Sequence, residues 1–168
     1  MDRSQGKLRS MTSVYLMDGD SILLLHRHGS RVVNDLWIGS AGGHFEEWEL
    51  NDARACVLRE LREELGLSEK DLSGLRMRYI TLRHTGGEVR QNYYFFANLK
   101  GGTGKKLRSD EGDLKWLRFD DGIFALEMPF TARRVLRHYM DTGRQTSVLY
   151  GGLANEEGVT FVELPEMQ

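Results

Sequence analysis

One stretch constrains the fold more than any other, because both of its ends are written into the sequence. Asp52 is a helix N-cap residue, Ala53–Leu65 is rich in helix formers, and Gly66 stands where a left-handed C-cap glycine belongs. Segments that read as strands flank this helix on both sides. Before it, 12–17 and 21–28 are joined by the turn residues Asp18, Gly19 and Asp20, and 36–40 reads as a short strand ending near the pair Gly42 and Gly43. After it, 75–83 and 88–99 enclose Thr85, Gly86 and Gly87 as a hairpin, and 113–119 and 158–164 read as further strands. A second helix is expected over 131–140, with Thr131 as its N-cap and Gly143 as its stop. Strands, helix, strands, helix predicts an α+β fold with a mixed sheet packed by helices. The polar segment 1–10 lacks periodicity and is expected to be a loose N-terminal arm. The polar stretch 29–35 reads as a loop.

With 168 residues and no repeat or linker, the expectation is a single domain over 1–168. No apolar run approaches the ~20 residues needed to span a bilayer, so no membrane partner is expected. No basic start leads into an apolar stretch with a small-residue cleavage site, which gives a cytoplasmic expectation. The one cysteine, Cys56, excludes an internal disulfide framework and a multi-cysteine zinc site. Net charge is −2, with 23 basic and 25 acidic residues, which is no general surface for a nucleic acid polymer.

The helix carries Glu60, Glu63 and Glu64 at i, i+3 and i+4, within an arc of about 100°. Leu58, Leu61 and Leu65 fall on an adjacent face that suits a core. Like charges at this spacing cost a few tenths of a kcal/mol. A hard divalent cation would offset that cost, and the glycine pair upstream can bring a backbone carbonyl to the same ion. A solvated acidic face, balanced by Arg59 and Arg62, is the plainer reading of the helix alone.

The longer string 42–67 is more specific. Gly43 is followed after five residues by Glu49. Arg59, Glu60, Leu61, Glu63, Glu64, Gly66 and Leu67 then complete an Arg-Glu-apolar-x-Glu-Glu-x-Gly-apolar run. This resembles the box of the Nudix hydrolase family, of MutT type. It departs from that box in the middle, where nine residues rather than seven separate Glu49 from Arg59, a two-residue insertion that leaves their pairing open. The resemblance implies a Nudix-type α/β/α sandwich around a central mixed sheet. It also implies Mg²⁺-dependent hydrolysis of a nucleoside diphosphate linked to another moiety, by attack of a metal-activated water on a phosphorus, with Mn²⁺ as a substitute. A (deoxy)nucleoside triphosphate or an oxidised nucleotide is the first choice of substrate. By position, Glu60, Glu63 and Glu64 with the Gly43 carbonyl (or that of Gly42) would hold the metal. Arg59 would orient the glutamates, and Glu60 and Glu63 would belong to the catalytic set. In this family the general base is often an acid on a later loop, and Glu111 is the choice here, with Asp110 and Asp113 in reserve. The expected partner is a small-molecule nucleotide, with a homodimer left open. The alternative is a non-catalytic module that binds a nucleotide or ADP-ribose for regulation.

Overall fold

A computed structural model describes residues 6–28 and 35–168. Nine strands form one mixed sheet. They are β1 (Lys7–Asp18), β2 (Ser21–Arg27), β3 (Leu36–Ile38), β4 (Ala41–His44), β5 (Leu72–Thr85), β6 (Glu88–Leu99), β7 (Gly112–Arg118), β8 (Leu149–Ala154) and β9 (Val159–Leu164). Their order is β3-β2-β1-β6-β5-β8-β9, with β4 on β1 and β7 on β2. The β1/β6 and β5/β8 pairs are parallel and the others antiparallel. The two helices are α1 (Ala53–Leu65) and α2 (Phe130–Asp141).

Strand alternation divides the apolar side chains between the two faces. On β1, Val14 and Leu16 point to one face and pack with Val57, Leu61 and Leu65 of α1, while Leu23 and Phe95 fill the same layer. Tyr15 and Met17 point to the other face, beneath Ala132, Val135 and Leu136 of α2. Each helix thus buries its apolar stripe on its own side, and the α/β/α sandwich follows. The β5–β6 hairpin turns at Gly86 and Gly87, with φ of 59° and 75°. Two successive positive φ values define a type I′ turn, whose twist matches that of the strands.

The sheet splits at β1. Its residues Leu16, Met17 and Asp18 pair with β2, whereas 11–14 pair with β4. Ser40 sits buried in the fork. Its hydroxyl accepts from the Leu16 N–H at 2.9 Å and donates to the Leu23 carbonyl at 2.6 Å. The fork carries the glycine pair of β4 over α1.

Several expectations change. Lys7 to Ser10 are not an arm but the first part of β1, paired with Glu88 to Gln91 of β6, because a parallel neighbour satisfies their backbone groups. Residues 1–5, the rest of that segment, lie outside the described residues, as does most of the 29–35 loop. Helix α2 begins one residue early. Pro129 takes the N-cap position without a side-chain cap, and Thr131 is buried instead of capping. Strands β4 and β8 were absent from the sequence reading.

Candidate active site

Both ends of α1 are fixed as its sequence predicts. The Asp52 carboxylate accepts from the Ala55 N–H at 2.9 Å, and Gly66 adopts the left-handed conformation, donating to the Arg62 and Leu61 carbonyls. The helix is therefore held in register against β4. A Cβ added to Gly43 would run into the Glu60 carboxylate, so that carboxylate lies directly on the glycine. One turn on, Glu64 Oε2 accepts from the Gly42 N–H at 3.2 Å. The glycine pair and two of the three glutamates thus meet at one place.

Arg59 organises the other side. Its Nε and Nη2 donate to the two carboxylate oxygens of Glu49 at 2.6 and 3.0 Å. Its Nη1 donates to Glu60 at 2.8 Å and to Glu63 at 3.0 Å, and Nη2 also reaches the His44 carbonyl at 3.0 Å. Glu49 has no exposed side-chain surface. The two-residue insertion therefore does not prevent the Glu49–Arg59 pair. Leu50 and Asn51 occupy the turn between a short 3₁₀ helix (Glu47–Glu49) and the Asp52 cap, and absorb the extra length there. The bidentate fork with Arg59 holds the Glu49 carboxyl below its ordinary range.

The carboxylates outnumber the cations. One guanidinium serves Glu49, Glu60 and Glu63. Burial, together with the charges of Glu111 and Glu60, pushes Glu64 up to about 8, and Arg27 offsets this only in part. Burial likewise raises Glu60. Glu111 is thus close enough to Glu64 for its charge to be felt. Its backbone is pinned at the mouth of β7, where the Glu111 N–H donates to Ser109 Oγ at 3.2 Å and its carbonyl accepts from the His28 N–H at 3.4 Å. Of the reserve acids, Asp113 is engaged with His28 at 3.1 Å and Asp110 is exposed.

Among the described residues no three His, Cys, Asp or Glu groups converge at metal-binding distance. Arg59 draws Glu60 and Glu63 to one side, and the Gly42 amide draws Glu64 to the other. The donor set nevertheless fits a divalent cation. Hard carboxylate oxygens predominate, Glu60 is buried and Glu64 half-buried with both carboxyls pushed up, and a glycine leaves the close approach open. Cys56 is no rival ligand. It is buried against Thr12 Oγ1 at 3.4 Å, and burial raises its thiol to about 12.

The NUDIX domain family model matches residues 7–139. The chain belongs to the Nudix hydrolase family. The match covers β1–β7, α1 and most of α2. Three solved structures share the fold. A MutT protein from Bacillus halodurans is 20% identical, with a TM-score of 0.65, over 95% of this chain and 99% of its own. The Ap4A hydrolase of C. elegans is 16% identical with a TM-score of 0.61, over 83% and 99%. The dihydroneopterin triphosphate pyrophosphohydrolase of E. coli is 20% identical with a TM-score of 0.62, over 80% and 94%. No curated protein matches the sequence significantly.

Other side chains divide by place. The charge of Arg27 acts on Glu64. Arg83 stacks over Phe130 with 5.2 Å to the ring centroid, and Trp37 stacks on His26 at 4.6 Å, both away from α1. Met128 is buried under α2 and serves as its apolar seat. Strand β4 and the neighbourhood of Arg27 and Glu64 escaped the sequence reading. A four-residue strand with two glycines has no β-propensity signal, and an electrostatic coupling between residues 27 and 64 has no local one. No helix among the described residues is long and apolar enough to cross a membrane.

Proposed function

We propose that this Nudix chain hydrolyses a nucleoside diphosphate linked to another moiety, with Mg²⁺ as its metal and a (deoxy)nucleoside triphosphate or an oxidised nucleotide as first-choice substrate. The observation that carries the reading is the seating of Glu60 on Gly43 and of Glu64 on the Gly42 amide. Glu60, Glu63, Glu64 and the Gly43 carbonyl would hold the metal. When bound, a divalent ion supplies charge neutralisation for the polyphosphate and acidifies a water.

The chain's own groups do the rest. Arg59 keeps Glu60 and Glu63 in place through one Nη1, and Glu49 keeps Arg59 in place, so the carboxylates are oriented before a substrate arrives. Glu111, on the separate loop before β7, is the candidate base, and its charge acts on Glu64. Its carboxylate would accept the proton of the attacking water. Arg27 is a cation whose charge acts on Glu64, and it suits a phosphate oxygen.

The test is a panel of nucleoside triphosphates, oxidised nucleotides, ADP-sugars and dinucleoside polyphosphates with Mg²⁺, reading released phosphate or pyrophosphate. Hydrolysis is expected, abolished by chelator and restored by Mg²⁺ or Mn²⁺. Full turnover in excess chelator overturns the metal assignment. Tight nucleotide binding with no hydrolysis across the panel leaves the non-catalytic module in its place.

A further inference from the structure

The edge of the sheet farthest from β3 is β9, which has β8 as its single neighbour. The two pair over six rungs, from Leu149 with Leu164 to Ala154 with Val159. In an antiparallel pair every second residue turns its N–H and C=O away from the partner, so β9 presents a regular row of free donors and acceptors. Soluble proteins usually blunt such an edge with lysine, proline, a bulge or a covering loop. Within Val159–Leu164 there is no proline, no lysine and no register shift.

The surface beside the edge is apolar. Gly151 lets Val162 and Leu164 lie across β8, where a Cβ would meet Leu164 Cδ1 at 3.2 Å. Leu153 and Val162 are 64% and 54% exposed, and Leu82 continues the patch on β5, directly opposite Leu153. The charge is one-sided. Residues 145–168 hold Glu156, Glu157, Glu163 and Glu166 and no lysine, arginine or histidine. None of these four glutamates takes part in an ion pair among the described residues.

We propose that the free edge of β9 is a docking site for an extended segment of a partner protein whose apolar and basic side chains alternate, and which adds to the sheet as one more strand. The backbone row supplies the pairing, and the side chains select the partner. Alternate residues of an added strand point to opposite faces. The apolar set would extend the Leu153–Val162–Leu164 patch, and the basic set would meet Glu163 and Glu166. Charge decides against a second copy of this chain. Pairing β9 with itself would bring Glu163 and Glu166 of each copy, with the glutamates of the preceding turn, to one seam that holds no lysine, arginine or histidine from residues 145–168.

The test uses a labelled octapeptide of alternating valine and lysine, with a valine–glutamate octapeptide and a proline-interrupted valine–lysine octapeptide as controls. Anisotropy titrations should show binding of the uninterrupted basic peptide alone, weakening as salt is raised. Hydrogen exchange should show the outward amides of β9 slowed in that complex and fast without it. The double variant Glu163→Lys/Glu166→Lys, its fold checked by circular dichroism, should weaken basic-peptide binding by about tenfold or more and take up the acidic one. Three results would each overturn the proposal. One is no binding of the basic peptide at millimolar concentration. Another is equal binding of both charges. The third is protection of the outward β9 amides in the free protein, which means that a second copy (if it depends on concentration) or another segment of this chain (if it does not) already covers the edge.

Discussion

Replacing Arg59 with methionine keeps the length of the side chain and removes its charge. In the wild type Glu49 is wholly buried and Arg59 is 12% exposed on its side chain. The variant leaves Glu49 with the Glu46 N–H at 2.9 Å and the weak thiol donor of Cys56. Removing one partner of a buried pair costs about 3–5 kcal/mol. An independent bound comes from neutralising the stranded carboxyl. From an ordinary value of 4.5, protonation at pH 7 spans about 2.5 pH units, or ~3.4 kcal/mol at 1.36 kcal/mol per unit. The two figures agree. At ~2–4 °C per kcal/mol for a chain of this size, the melting temperature should fall by about 10 °C.

The sign with pH follows from the same residue. In the wild type Arg59 depresses the Glu49 carboxyl, so its stabilising effect is full above 4.5 and is lost only as pH falls below that. In Arg59→Met the unpaired, buried carboxyl is raised instead, so the variant gains stability as pH falls from 7 toward 4.5. The gap between the two proteins should close by about 1.4 kcal/mol per pH unit over that window. Urea unfolding at pH 7 and pH 5, in chelator, measures it. A loss under ~1 kcal/mol at pH 7, or a gap that does not change with pH, would refute the role given to the pair.

Glu63→Gln and Glu64→Gln should each lower kcat by at least ~10²-fold, while the metal-free melting temperature holds or rises for Glu64→Gln because a raised, buried carboxyl is removed. Glu127→Gln, outside the box, should be near neutral, and wild-type turnover in both box variants would show that these glutamates do not act on the substrate. Gly43→Ala should displace the flexible end of Glu60 and cut kcat by ~10-fold or more with little change in melting temperature, whereas the added Cβ of Gly42→Ala meets the rigid Thr12 carbonyl and should destabilise the fold. Deleting Leu50 and Asn51 restores the usual box spacing and keeps the Asp52 cap, so activity should stay within about tenfold, which steady-state rates will check.

The sequence by itself determined α1 to the residue, because its cap, its helix formers and its terminal glycine are all local signals. The hairpin at Thr85, Gly86 and Gly87 was legible for the same reason, though not its turn type, and so was the glutamate ridge, since i, i+3 and i+4 share a face wherever the helix lies. The tertiary structure alone decided what that ridge faces. Glu60 meets Gly43 because β1 leaves β2 and takes up β4, and the strand carrying the glycines has no propensity that betrays it. The pairing of Glu49 with Arg59 depended on whether a loop could absorb two residues, which loop closure settles and spacing cannot. The charges of Arg27 and Glu111 act on Glu64 from two distant segments. The first residues of β1 read as polar and aperiodic, yet they form a strand because β6 stands beside them with unpaired backbone groups. Local chemistry writes the elements, and long-range backbone pairing chooses their neighbours.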